Sequence, residues 1–419
     1  MNIKLRLTVM NFLQFAVWGS YLTSMGTYLF KIGLAENIGI FYAMQGIVSL
    51  FMPALIGIVA DRWIQAQRLL GICHIVAAAF MVATGYYALT ATEVAFAPLF
   101  TLYALSVAFY MPTLGLSNSV AYSSLNRAGL DTVKHFPPIR VWGTIGFICA
   151  MWCCDLAGFQ SSAWQFVQSA AIGVVLGLYA FTMPECPTNK GGEKKSFVEA
   201  LGLNAFALFK QKKMALFFIF SILLGVSLQI TNGFANPFIS DFGGIAAYAE
   251  TFGVKHANIL ISLSQVSETL CILLIPFCLR RFGIKNVMLM AMGAWVLRFG
   301  LFGLGNPGSG VWMFLLSMVV YGIAFDFFNV SGSLFVDKET DSNLRSSAQG
   351  LFIMMTNGIG ATIGTLGAQQ VINHFVGNST GLARMEGWSQ SWLVFAAYAL
   401  VVAVLFAIVF KYKHTPESK

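Results

Sequence analysis

Glu268, Arg298 and Asp326 lie inside apolar runs long enough to cross a bilayer. A charge at that depth costs at least ~2.5 kcal/mol by insertion scales, so each needs a wet cavity or a partner. Glu268 follows Gln265 by three residues, which puts both on one helix face. That face is expected to point at a water-filled cavity; a hydrogen-bonded clamp between helices is the blander alternative. Asp326 sits within Tyr321-Gly-Ile-Ala-Phe325-Asp326-Phe327-Phe328-Asn329. Tyr321, Phe325 and Phe328 recur at i, i+4 and i+7 as an aromatic stripe, and Asp326 flanks it, about 100° round from Phe325. An acid among these rings is poorly solvated, which suits a group that takes up and releases a proton. A salt bridge to a neighbouring helix would also account for it. The sequence assigns Arg298 no partner.

Amides form a second pattern. Gln229, Asn232 and Asn236 follow at i, i+3 and i+7 along one face. Amides both donate and accept, so this face suits a neutral ligand rich in hydroxyls and ring heteroatoms, or else glues helices together. Arg140, Thr144 and Phe147 form a third stripe at i, i+4 and i+7. Arg140 lies about 10 Å from Phe147 along a helix, where it serves either as a ligand contact or as a charge anchoring the span end. Gln14, Trp18 and Tyr21 add further candidate cavity groups.

No pattern supports catalysis. The five histidines are dispersed, and the seven cysteines show no zinc spacing. No Gly-Lys-Ser/Thr phosphate loop occurs, so ATP is not the direct energy source. No cofactor is expected, and an ion gradient would have to drive any uphill work.

The elements that must position these groups follow from composition. Of 419 residues, 57% are hydrophobic and only 10% charged, against about 25% in soluble domains. Runs free of Asp, Glu, Lys and Arg cover about 7–30, 37–60, 69–92, 94–126, 139–160, 164–184, 214–240, 256–279, 286–305, 310–336, 345–372 and 388–411. We number these spans one to twelve. Each approaches the ~20 residues that cross a bilayer as a helix and far exceeds a barrel strand. The first run is span-length and lacks a clear cleavage site, so it reads as a span, not a signal peptide.

With both termini on one side, twenty-one basic residues flank that side and three (Lys31, Lys255 and Arg384) flank the other. The positive-inside rule makes both termini cytoplasmic. The net charge of +8 is therefore a topology signal and gives no reason to expect nucleic acid. Residues 185–213 form the longest polar interruption and turn amphipathic through Phe197, Leu201, Leu203, Phe206 and Phe209, as a surface helix would. The expectation is an all-α membrane protein: a six-helix bundle over 1–184, a linker over 185–213, and a second bundle over 214–419.

The loop Gly57-Ile-Val-Ala-Asp61-Arg62-Trp resembles the signature loop of the major facilitator superfamily, although Ile64, Gln65 and Ala66 replace its glycine and basic pair. The resemblance makes Asp61 and Arg62 a conformational latch; a solvated pair at a helix end is the alternative. Longer stretches are more specific. Phe12-Leu-Gln-Phe-Ala-Val-Trp-Gly-Ser20, Tyr110-Met-Pro-Thr-Leu-Gly-Leu116, Phe136-Pro-Pro-Ile-Arg-Val-Trp-Gly-Thr-Ile-Gly-Phe147 and Phe325-Asp-Phe-Phe-Asn329 resemble the bacterial nucleoside:proton symporters of that superfamily. The resemblance implies a monomeric inner-membrane importer of nucleosides such as uridine and adenosine, with the nucleoside held between two bundles. It assigns Arg140, Thr144, Phe147, Gln229, Asn232, Gln265, Glu268, Tyr321 and Phe325 to the substrate. Asp326, with Glu268, goes to proton coupling. A sugar or oligosaccharide symporter would use similar acids and amides, and a nucleoside sensor without net transport is a further alternative.

Overall fold

The computed structural model describes residues 2–188, 203–341 and 344–412, and within them all side chains but those of Asp61, Arg62, Val133, Leu203 and Ser346. The described residues are helical and contain no strand. Lipid offers backbone groups no hydrogen bonds, and a helix satisfies them within one segment. Nine of the described helices are long and apolar enough to cross a membrane. One of these, Ala257–Leu304, is two spans: Gly283, at φ 77°, lets the chain turn within Ile275–Leu304. Spans one and six are shorter, built on the 17-residue helices Ile3–Gly19 and Trp164–Ala180. The order is that of twelve spans.

Several spans are less regular than their apolar runs. Span one breaks after Gly19 and resumes as Met25–Lys31. Span seven divides at Gln229 into Lys212–Leu228 and Ile230–Asp241. Span eleven carries a π-helical stretch, Met354–Gly360, between Arg345–Ile353 and Ala361–Phe375. Span twelve starts seven residues before its apolar run, as Gly381–Val409, because helical hydrogen bonding tolerates Arg384 and Glu386 in the first turns. Of the amphipathic linker, Phe197 and Leu201 lie outside the described residues. Leu203, Phe206 and Phe209 fall in a 3-10 helix, Leu203–Lys210.

The chain divides into two compact units, Met1–Leu201 and Gly202–Lys419. Within the first, span one packs on span five, two on four, and three on four and six. Within the second, seven packs on eleven, eight on ten, and nine on ten and twelve. The same plan is thus used twice. Outward faces carry apolar side chains such as Val175, Leu178, Leu297, Leu400 and Val404, as lipid contact demands.

Glycine sets the distance between spans one and five, and between spans seven and eleven. A Cβ on Gly146 of span five would lie 2.1 Å from the Phe12 carbonyl oxygen of span one. One on Gly364 of span eleven would lie 2.0 Å from the Val226 carbonyl oxygen of span seven. Small residues let membrane helices pack backbone to backbone. Gly146→Ala and Gly364→Ala are each expected to destabilise the purified protein by about 1–3 kcal/mol, the range for overpacking. Gly367→Ala, where nothing lies within 4 Å, is the control. Equal melting temperatures for all three would remove the close contact as a stability determinant.

Candidate functional site

In the first unit, Phe147 of span five is buried and meets Trp18 of span one edge-on, with ring centroids 6.3 Å apart. Trp18 also tilts against Tyr110 of span four at 6.2 Å. Arg140 and Thr144 are half-buried on the same span. The Arg140 guanidinium lies 3.9 Å from the centre of the Phe15 ring. It is folded onto span one, a position that a charge anchoring the helix end does not require.

A polar knot lies beneath these rings. Thr113 Oγ1 donates to the Tyr110 carbonyl at 2.5 Å, so it accepts from Gln14 Nε2 at 2.8 Å. This leaves Gln14 Oε1 to accept from His74 Nε2 at 2.8 Å. The Tyr110 hydroxyl donates to the Gln14 carbonyl at 2.8 Å. His74 and Thr113 were not separable from ordinary span residues in the sequence, because their partners lie 60 and 99 positions away.

In the second unit the amide stripe splits by burial and partner. Asn232 Nδ2 donates to Gln229 Oε1 at 2.8 Å, and both residues are half-buried. Asn236 is fully buried, donates to Asn258 Oδ1 of span eight at 2.7 Å and accepts from Ser240. Asn236 is therefore interhelical glue. Gln229 stands at the joint of the broken span, as the C-cap of one helix and the N-cap of the next.

Span eight supplies Gln265 and Glu268. Gln265 is buried, and among the described residues its Oε1 accepts no hydrogen bond; Glu268 is half-buried. Span ten approaches closely here because Gly322 has no side chain: a Cβ would meet the Ser267 carbonyl oxygen at 2.5 Å. Tyr321 and Phe325 stack at 5.6 Å and 19°, and Trp295 of span nine meets Tyr321 edge-on at 6.0 Å. Phe328 departs from this stripe and packs on Phe217 and Phe352 in the bundle core. Asp326 is 6% exposed. The Arg298 guanidinium lies against the Tyr321 ring, and Glu268 and Asp326 lie within electrostatic reach of Tyr321. Arg298 finds its partners on span ten and span eight: it donates to the Ser317 carbonyl at 2.8 Å and to Ser264 Oγ at 3.4 Å.

One further cluster went unread in the sequence. Arg384 and Trp388 of span twelve both donate to Asp241 at the end of span seven, Trp388 Nε1 at 2.7 Å. Asp61 and Arg62 close the helix Ile38–Arg62, but their side chains lie outside the described residues.

The structure thus gathers Arg140, Thr144 and Phe147 in one unit. In the other it gathers a half-buried amide pair, and a carboxyl, a buried amide and two stacked rings on spans eight and ten. Amides and a carboxyl recognise hydroxyls, and stacked rings recognise a flat heterocycle.

Comparison with known proteins agrees with that chemistry. Residues 1–415 match the family described as nucleoside H+ symporter. The chain is 48% identical to the nucleoside permease NupG of Escherichia coli (strain K12), covering 99% of this chain and 97% of the permease. It is 46% identical to the xanthosine permease of the same organism, covering 100% and 98%. A crystal structure of the nucleoside transporter NupG superposes with a TM-score of 0.88 at 47% identity, covering 99% of this chain and 100% of that one. A D-xylose-proton symporter, at 14% identity and a TM-score of 0.68, shares the fold alone. By family match, identity and fold, this chain belongs to the nucleoside H+ symporter family.

Proposed function

We propose that this protein imports nucleosides with protons by alternating access, from the outside to the cytoplasm of a bacterium across its inner membrane. The observation that carries the reading is the pairing of a full-length family match with hydroxyl- and ring-recognising groups on adjoining spans eight and ten. Glu268 and Gln265 take the ribose hydroxyls, with Gln229 beside them. The base stacks on Phe147, Phe325 or Tyr321 and bonds to Asn232. Arg140 and Thr144 complete the contact set, and Asp326 carries or gates the proton. Both termini are assigned to the cytoplasm, Asp61 and Arg62 to the latch, and the working unit is a monomer. The domain scheme remains two bundles, 1–184 and 214–419, joined by 185–213.

Uptake of labelled uridine by cells lacking their own nucleoside carriers tests the whole reading. Accumulation is expected, with loss on adding a proton uncoupler and competition by unlabelled adenosine but not by sugars. Sugar-competed uptake would favour the sugar symporter, and uridine binding without uptake the sensor.

Gln229→Ala and Asn232→Ala are each expected to weaken uridine binding by about 1–3 kcal/mol, since each leaves a polar ligand group unmatched. Their mutual hydrogen bond makes the double variant lose less than the sum. Normal binding with early melting in both single variants would class them with Asn236 as glue.

A further inference from the structure

We propose that Arg298 is a positioning residue for nucleoside recognition, whose guanidinium fixes the aromatic half of the site against the carboxyl half. The inference rests on the nucleoside reading above. Arg298 is 1% exposed, on span nine. Its guanidinium carbon lies 4.4 Å from the centre of the Tyr321 ring and 5.2 Å from that of Phe302. Its Nη1 bonds the Ser317 carbonyl and Ser264 Oγ, and the Ser317 hydroxyl donates back to the Arg298 carbonyl at 2.9 Å. Both its main chain and its side chain are therefore held.

Helical spacing gives these contacts their meaning. Ser264 precedes Glu268 by four residues and adjoins Gln265. Ser317 precedes Tyr321 by four and Phe325 by eight. Residues four apart share a helix face. One guanidinium thus grips span eight one turn from its carboxyl, grips span ten one turn from its aromatic pair, and covers the first ring of that pair. Tyr321 stacks on Phe325, so the tilt set on one ring passes to the other. An arginine can bond at its edge and stack with its face at once; a lysine ammonium is a single point charge without that face. If Arg298 were only a tie between helices, its effect on binding would not depend on the Tyr321 ring.

Purified protein in detergent, titrated with uridine and melted in parallel, separates these. Arg298→Lys is expected to weaken uridine binding about tenfold, the scale of a desolvated cation–π contact. The same loss is expected on a Tyr321→Phe background, which keeps the ring. On a Tyr321→Leu background, Arg298→Lys is expected to add little further loss. An equal loss with and without the ring overturns the proposal, as does wild-type affinity in Arg298→Lys. Should the lysine variant fail to insert, Ser264→Ala removes one grip and keeps the cation. Its expected loss is about two- to fivefold, absent on the Tyr321→Leu background, and a loss that persists there overturns the proposal too. Failure of the wild type to bind uridine is a different result: it removes the nucleoside reading, and the role of Arg298 with it.

Discussion

Glu268→Gln is expected to weaken nucleoside binding by about 10- to 100-fold, the worth of a charge-assisted hydrogen bond. The carboxylate is half-buried, three residues from the buried Gln265 and within electrostatic reach of Tyr321. Two carboxylate oxygens can accept from both hydroxyls of a vicinal diol at once, and charge strengthens each bond. The glutamine has the same size but only one acceptor, and its amide nitrogen presents a donor where the second hydroxyl also needs to donate. Because volume is unchanged, folding and insertion are expected to survive. Titration of the purified variant with uridine, alongside its melting curve, gives the answer. Wild-type affinity would take Glu268 out of the substrate site.

Asp326→Asn is expected to separate binding from pumping. Asp326 is buried on span ten, flanked in the chain by Phe325 and Phe327. The amide mimics one protonation state permanently. Uridine binding is expected to remain within severalfold of wild type, while accumulation against a gradient falls to the level of equilibration. The pH dependence of uptake should vanish with it, since the variant has no proton to exchange there. A purely structural salt-bridge partner would show the reverse: a lower melting temperature, with pumping and pH dependence intact in the folded fraction. Uphill, pH-dependent uptake by Asp326→Asn at the wild-type rate would leave Glu268 as the remaining candidate for the proton.

The sequence made the spans legible because lipid imposes one rule on every residue of a run. It made Glu268, Gln265, Tyr321 and Phe325 legible because their spacing places them on shared helix faces and their chemistry is out of place in hydrocarbon. It could not show that Phe328 leaves the stripe of Tyr321 and Phe325, since the rings it packs on, Phe217 and Phe352, come from spans seven and eleven. Nor could it show that Asn236 bonds Asn258 while Gln229 and Asn232 bond each other. Those outcomes depend on which span lies alongside. Arg298 is the same case: its partners Ser264 and Ser317 are ordinary span residues until the helices are packed.

The backbone contacts at Gly146 and Gly364 bear on how the molecule moves. Where side chains interdigitate, helices can shear past one another by small rotamer changes. At Gly146 against Phe12, and at Gly364 against Val226, peptide meets peptide and no side chain is available to give way. Spans one and five are therefore expected to travel as one stiff plank in a transport cycle, and spans seven and eleven as another. The bending has to be taken up elsewhere, and the breaks at Gln229 in span seven and after Gly19 in span one are where these planks have a joint.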